Sequence, residues 1–77
     1  MALIENFQEV RIDRQTVHEP VRCGWRVFTV NGETILQLDT YGSADRKVLG
    51  KVSQSIQLNR QAARDLLGIL ERAFPRL

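Results

Sequence analysis

The sequence predicts an α+β fold, a four-stranded antiparallel sheet followed by one C-terminal helix (β-β-β-β-α). Three observations predict it: an Asn31-Gly32 turn between two apolar-rich runs, an alternating segment at Lys51 to Leu58, and helical spacing of apolar residues after Asn59. A chain of 77 residues is the size of one small domain, so we expect a single domain over residues 1–77.

The first strand is predicted at Phe7 to Asp13. Apolar and polar residues alternate there, which places Val10 and Ile12 on the inward side. A break follows at His18 to Pro20, because proline disfavours continued ladder pairing.

The second and third strands form a hairpin around Asn31-Gly32, since both residues of a tight hairpin turn need positive φ. A two-residue turn pairs Val30 with Glu33 and fixes the register. One face, the apolar face, then carries Cys23, Trp25, Val27, Leu36, Leu38 and Thr40. The other, the mixed face, carries Arg22, Arg26, Phe28, Ile35, Gln37 and Tyr41. We expect the apolar face to be core and the mixed face to be open.

The segment Tyr41 to Gly50 is predicted to be a polar loop, and Lys51 to Leu58 the fourth strand. Ile56 and Leu58 lie on one side of that strand, and Gln54 falls on the same apolar side.

A helix is predicted between Asn59, a good N-cap, and Pro75, which ends it. Its apolar stripe consists of Ala63, Leu66, Leu67, Leu70, Ala73 and Phe74, with Ile69 at the edge. Gly68 would allow a close approach by another element. One helix covers one face of a sheet, so the mixed face is left uncovered.

We expect a homodimer, because so small a core is marginal and one cysteine permits no internal disulfide. The apolar stripe of the helix, with Ile69 at its edge, is wider than is needed to pack against one face of the sheet. The expected interface residues are Leu66, Ile69, Leu70, Ala73 and Phe74.

The sequence contains few candidate catalytic residues. His18 is the only histidine and Cys23 falls on the apolar face. Asp39 and Asp45 have no acidic partner at a useful spacing, and the sequence has no phosphate loop or metal-ligand pattern. We therefore expect no enzyme activity, no cofactor and no metal.

Binding of nucleic acid has more support. The net charge is +2, and nine of the eleven basic residues are arginine. Arginine binds phosphates through its planar guanidinium and stacks on bases. A coding bias towards high GC content would also favour arginine. Phe28 and Tyr41 beside Arg22 and Arg26 combine stacking surfaces with cations. The alternative is that Phe28 and Ile35 pack against a second subunit or a long loop. Further cations lie at Arg46, Lys47 and Lys51, a cluster that also suits an ordinary solvated loop.

The stretch VNGETILQLDTYGS, a basic loop and GKVSQSIQLNRQAARDLLGIL together resemble the transcriptional coactivator family called positive cofactor four and its small bacterial relatives. The resemblance covers about Cys23 to Phe74. It implies a β-β-β-β-α unit that dimerises largely through its helices and binds single-stranded or melted DNA on its sheet. The residues it implies at the nucleic-acid surface are Trp25, Arg26, Phe28, Gln37, Tyr41, Lys47, Lys51 and Ser53.

Two hypotheses follow. The first is a homodimeric, sequence-tolerant protein that binds single-stranded nucleic acid, with DNA expected over RNA, in transcription, replication or repair. The second is a protein-interaction module that binds a protein partner on its open sheet face. The sequence has no secretory or membrane-spanning pattern, so we expect a cytoplasmic protein, associated with the nucleoid if it binds DNA.

Overall fold

The structure, a computed structural model, describes residues 1–42 and 51–77. Its elements in chain order are β1 (Ala2–Leu3), β2 (Cys23–Val30), β3 (Glu33–Thr40), β4 (Gln54–Leu58) and α1 (Arg60–Ala73). The strands form one sheet in the order β1-β4-β3-β2. This confirms the predicted fold class of a four-stranded sheet followed by one helix. The sheet is mixed, because β1 runs parallel to β4 while the other pairs are antiparallel.

The hairpin has the predicted register. Val30 pairs with Glu33, and the ladder continues outward to Cys23 and Thr40. Asn31 and Gly32 have φ values of 52° and 78°, which is the left-handed geometry that a tight turn between right-twisted strands requires.

The predicted first strand was wrong. Residues 7–13 form no strand, and Val10 and Ile12 are exposed instead of facing inward. The edge strand is Ala2–Leu3, which pairs with Ile56 and Gln57, and the N–H of Ile4 extends the ladder to the Gln57 carbonyl. A parallel pairing across more than fifty residues of chain leaves no local pattern in the sequence.

β4 begins at Gln54, three residues later than predicted, and Gln54 lies on the apolar face opposite Thr40. The helix begins and ends close to the prediction. Asn59 is its N-cap, and its side-chain oxygen accepts a 2.9 Å hydrogen bond from the N–H of Ala62. The N–H of Phe74 closes the last turn on the Leu70 carbonyl.

The core of the single chain is small and lies near the hairpin turn. Among the described residues, the buried apolar side chains are Ile35, Leu58 and Ala62. Leu58 pairs with Leu36, next to Ile35, and Ala62 is in the first turn of α1. Ile35 lies on the mixed face and Leu58 on the apolar face, so the buried side chains lie on both sides of the sheet where β3, the end of β4 and the start of α1 meet.

The predicted core face was wrong for the single chain. Trp25 is 72% exposed and Val27 is 56% exposed, while Cys23 and Ile56 are also exposed. Leu36 and Leu38 are half-buried. The alternation of residues divided the two faces correctly, but the burial is the reverse of the prediction. Among the described strand residues, Ile35, Asp39 and Ser55 are buried on the mixed face, whereas Leu58 is the buried residue of the apolar face.

The helical stripe is also shifted. Ala62 is buried, and Leu66 and Leu70 are half-buried, but Leu67 and Phe74 are exposed. Gly68 lies on the polar side with Arg64 and Arg72, and a Cβ added there would meet no described atom within 4 Å. The close approach expected at Gly68 is thus not made within the described chain.

Within residues 1–42 and 51–77, no helix has the length and apolar character needed to cross a membrane. The predicted loop cations Arg46 and Lys47 lie outside the described residues.

Candidate nucleic-acid interface

The mixed face is organised in rows that cross the strands. Arg26, Gln37 and Gln57 stand side by side on β2, β3 and β4, because the register pairs Gln37 with both of the others. The next row consists of Gly24, Asp39 and Ser55. Successive residues of a strand point to opposite faces, so both rows lie on the same side of the sheet.

Asp39 is the centre of this arrangement and is only 2% exposed. Its Oδ1 accepts hydrogen bonds from Gln37 Nε2 at 2.9 Å and from Ser55 Oγ at 2.6 Å. Its Oδ2 accepts a 2.8 Å charge-assisted hydrogen bond from Arg26 Nη1. The carboxylate is thus compensated from three neighbouring side chains on three strands. We call Arg26, Gln37, Asp39, Ser55 and Gln57 the polar cluster.

These contacts lower the pKa of Asp39 below its ordinary value of 3.8. The hydrogen bond from Gln37 is the largest cause, the bond from Ser55 is next, and the positive charge of Arg26 adds to them against the opposing effect of burial. Asp39 is therefore a carboxylate at neutral pH.

An ionised carboxylate only accepts hydrogen bonds, so Asp39 fixes the orientation of both amides. Gln37 must point its nitrogen to Asp39, which turns its Oε1 towards β4. There it accepts a 2.8 Å hydrogen bond from Gln57 Nε2. This series of side-chain hydrogen bonds ends at the carbonyl oxygen of Gln57, which has no hydrogen-bond partner among the described residues.

Tyr41 packs its ring over Gly24. A Cβ built on Gly24 would lie 2.7 Å from the Tyr41 hydroxyl oxygen and 3.0 Å from its ring carbon Cε2. The glycine therefore lets the ring approach the backbone of β2. The N–H of Tyr41 also donates to the Arg22 carbonyl at 3.2 Å, which continues the pairing of β2 with β3 by one residue.

A depression of about 550 Å³ opens above these residues. Its lining combines the polar cluster with the Tyr41 ring and three apolar side chains, namely Met1, Ala2, Arg26, Gln37, Asp39, Tyr41, Val52, Ser55 and Gln57. Met1, Ala2 and Val52 are the apolar residues of this lining. The depression presents hydrogen-bonding groups and an aromatic ring within one concave surface.

Arg26 is the cation of this surface, and its side chain is 59% exposed. One nitrogen, Nη1, is held by Asp39, while the guanidinium carries further N–H groups that have no partner among the described residues. Because Asp39 balances its charge, Arg26 contributes directed hydrogen-bond donors more than net positive potential.

The structure brings together part of the predicted binding set. Arg26, Gln37 and Tyr41 line the depression. Phe28 is half-buried in the neighbouring row opposite the buried Ile35, and so is less open than expected. Trp25 lies on the apolar face, away from the depression.

The remaining predicted residues lie at the margins. Arg22 is exposed directly before β2, and Lys51 is exposed three residues before β4. Ser53 is exposed and its N–H donates to the Thr40 carbonyl at 2.7 Å, just before β4.

Asp39, Ser55 and Gln57 belong to the site, although the sequence did not predict them there. Asp39 has no acidic partner at a useful spacing, so its sequence context does not predict a role at a site. A usable signal was present in the hairpin register, which puts Asp39 two residues from Gln37 on the face that carries Arg26.

The apolar face is a second open surface. Trp25, Val27 and Ile56 are exposed on it. At its hairpin end, a groove of about 360 Å³ runs between sheet and helix and is lined by Leu36, Leu58, Ala63 and Leu67 among others. In the proposed helix interface, Ile69, Ala73 and Phe74 are exposed and Leu66 and Leu70 are half-buried.

Three or more histidine, cysteine or acidic side chains do not come together as a metal site anywhere in residues 1–42 and 51–77. No protein-family model, curated protein or solved structure matches the chain. The function is therefore inferred from the residues and from their arrangement.

Proposed function

We propose that the protein is a homodimer that binds single-stranded nucleic acid, with DNA expected over RNA, on the mixed face of its sheet. The observation that carries the proposal is the depression in which Arg26, Gln37 and Gln57 stand in one row beside the Tyr41 ring. We place the protein in the cytoplasm, on the nucleoid if the strand is DNA, and in transcription, replication or repair.

The chemistry of that surface suits an unpaired strand. Bases stack on aromatic rings whatever their sequence, and each stacked base contributes about 1–3 kcal/mol. Tyr41 offers such a ring, and Phe28 offers a second, partly covered one. Arg22 lies just before β2 and Lys51 three residues before β4, and both are exposed and offer cations for the phosphates.

The apolar side chains that remain exposed in the single chain support the dimer. Trp25, Val27 and Ile56 are exposed on one sheet face, and only three apolar side chains are buried among the described residues. A domain of this size with so small a core commonly gains stability by oligomerisation. Covering the apolar face and the flank of α1 with a second copy would leave both mixed faces open.

The second candidate function is a protein-interaction module. The exposed Trp25 and its apolar neighbours favour it, because tryptophan is enriched at the energetic centres of protein interfaces. In that case a different protein, and not a second copy, would cover the apolar face.

The test is fluorescence anisotropy with a labelled single strand of about 12 nucleotides, within the site sizes of single-strand-binding folds. We expect log K to fall linearly with log salt between about 50 and 200 mM, by roughly 0.7 per contacted phosphate. A duplex of the same length should bind more weakly. An affinity that does not change with salt concentration would contradict the proposal. So would a duplex that binds more tightly than the single strand of the same length.

A further inference from the structure

The outer edge of β2 is open. β2 is the last strand in the order β1-β4-β3-β2, so its far side has no neighbouring strand among the described residues. The Arg22 carbonyl accepts from the Tyr41 N–H on the β3 side, and alternate residues of an antiparallel ladder direct their backbone groups to opposite sides. The backbone groups at the open edge are therefore those of Cys23, Trp25 and Val27. β2 contains neither proline nor lysine, which commonly protect an edge from a further strand.

The N-terminal arm, residues 5–21, has a backbone without partners in the single chain. No backbone–backbone hydrogen bond among the described residues includes any of them. Residues 9–13 nevertheless alternate between charged and apolar, which is the pattern of a strand. Val10 and Ile12, the apolar members, are exposed. The arm thus contains a strand-like segment with free backbone groups and exposed apolar side chains.

We propose that residues 7–13 of a second copy add to the open edge of β2 as an antiparallel strand, so that the two copies exchange their N-terminal arms. We call residues 7–13 the exchanged strand. This inference deepens the proposed homodimer, on which it rests, and names the segment by which each copy holds the other. In the single chain these residues form no strand.

Apolar pairing narrows the possible registers. Trp25 and Cys23 are exposed on the apolar face, and their backbone groups point to the open edge. Placing Val10 opposite Trp25 brings Ile12 opposite Cys23, so two exposed apolar pairs form side by side. A shift by one residue would turn Val10 and Ile12 to the mixed face.

Charge complementarity then selects this register over its neighbours. In the register just described, Glu9 faces Arg26 and Asp13 faces Arg22, so both facing pairs have opposite charges. A slide of two residues in either direction would place Arg11 opposite one of these two arginines. Like charges directly opposite each other are destabilising.

The same chain cannot make this pairing while β1 stays in the sheet. The N–H of Ile4 donates to the Gln57 carbonyl at 2.9 Å, at the far edge of the sheet from β2. A strand outside β2 would lie four strand spacings from β1, which is about 19 Å. Three residues lead from Ile4 to Phe7, and they span at most about 11 Å when extended. The exchanged strand therefore comes from a second copy.

The test uses the single native cysteine, Cys23. Ile12→Cys places a second thiol opposite it in the proposed register. Facing residues that are hydrogen-bonded have Cα atoms about 5.5 Å apart, which is within the range of a disulfide. Mild oxidation should give a disulfide between position 12 of one copy and Cys23 of the other. The product should migrate as a dimer on a non-reducing gel, with the link located by peptide mass mapping.

Val10→Cys is the matched control, because it introduces a thiol two residues away on the same side of the exchanged strand. In the proposed register, position 10 is diagonal to Cys23, with Cα atoms about 7–8 Å apart. This separation exceeds the usual range of a disulfide, so a link between positions 10 and 23 should be much less abundant.

A second measurement needs no added thiol. In the proposed register the N–H of Val10 donates to the Trp25 carbonyl, so Val10→Pro removes a hydrogen bond of the ladder. Its dimer dissociation constant should rise about tenfold. Val17→Pro makes the same change in the arm but outside the exchanged strand, and it should leave the constant unchanged. Sedimentation equilibrium gives both values.

The outcomes separate the exchange from the dimer and from nucleic-acid binding. Absence of the interchain 12–23 disulfide, or its formation within one chain, overturns the exchange, as do equal dissociation constants for the two proline variants. A wild type that is still dimeric then leaves the proposed dimer standing. A monomeric wild type overturns both the dimer and the exchange, and the titrations with single strands decide nucleic-acid binding separately.

Discussion

Ser55 donates a 2.6 Å hydrogen bond to the buried Asp39 from the neighbouring strand β4. The bond joins two residues that face each other in the ladder, and it is one of three that compensate the carboxylate. Asp39 therefore ties β2, β3 and β4 together through side chains as well as through the backbone.

The first prediction concerns acid stability. The pKa of Asp39 is lower in the folded chain than its ordinary value of 3.8, so the unfolded chain binds a proton more readily. The stabilisation that this group contributes is present above that value and is lost as pH falls through the lower pKa of the folded state. The melting temperature should thus fall on acidification in this window. Thermal melts followed by circular dichroism measure it.

Ser55→Ala provides the comparison for the acid transition. Removing this bond raises the pKa of Asp39, so the loss of stability should begin at a higher pH than in the wild type. Asp39→Asn should lack this part of the pH dependence altogether. An acid transition identical in all three proteins would show that Asp39 does not contribute to it.

The second prediction concerns the contact between Gly24 and Tyr41. A methyl group at Gly24 would meet the far end of the Tyr41 ring at 2.7–3.0 Å, so the ring must move aside. Because a side-chain tip moves easily, Gly24→Ala should change the melting temperature little. It should weaken single-strand binding, since the stacking surface is displaced. Anisotropy titrations and thermal melts of the variant check both parts.

Gly68→Ala is the control for this change. A Cβ there meets no described atom within 4 Å, so single-strand affinity should be unchanged. Affinity of Gly24→Ala equal to that of the wild type would remove Tyr41 from the binding surface.

The third prediction separates the two sheet faces in assembly. Val27 and Val30 are 56% and 53% exposed on the same strand, but they point to opposite faces. Val27→Asp should dissociate the dimer, because it places a charge in the proposed dry interface. Val30→Asp should leave the dimer intact. Sedimentation velocity at micromolar protein gives the mass of each.

The contradicting results for assembly are clear. If the wild-type protein sediments as a monomer, the proposed dimer is wrong. A dimer that survives Val27→Asp would place the interface elsewhere, with the exposed helix residues Ile69 and Phe74 as the next candidates.

The sequence predicted the local parts of the fold well. The Asn31-Gly32 turn fixes the pairing of β2 with β3, and Asn59 caps the helix through a bond to a residue three positions away. Each of these features depends on residues that are close together in the chain, so the local sequence pattern is enough to predict it.

The non-local parts could not be predicted in the same way. β1 pairs with β4 through Ala2 and Ile56, and two residues of strand give no periodic signal. The apolar face was expected to be covered because alternation predicts which residues share a face. Alternation does not say whether the same chain or a partner covers them, and Trp25 is left exposed.

The candidate site was half predicted. Gln37 and Arg26 were identified because they stand out from an apolar pattern on the hairpin. Asp39 and Gln57 act through contacts between three strands, and their pairing follows from the position of β4. Asp39 does not fit the pattern of paired catalytic acids, because its partners are one amide, one hydroxyl and one guanidinium group.

The most direct test of the two-face account is a nuclear magnetic resonance titration of the labelled protein with an oligo-dT strand, followed through side-chain N–H signals. The account predicts that the amide signals of Gln37 and Gln57 shift with added strand while the indole N–H of Trp25, on the opposite face, does not. A shift of the Trp25 indole with both glutamine amides unmoved would contradict it, and would place the strand on the apolar face.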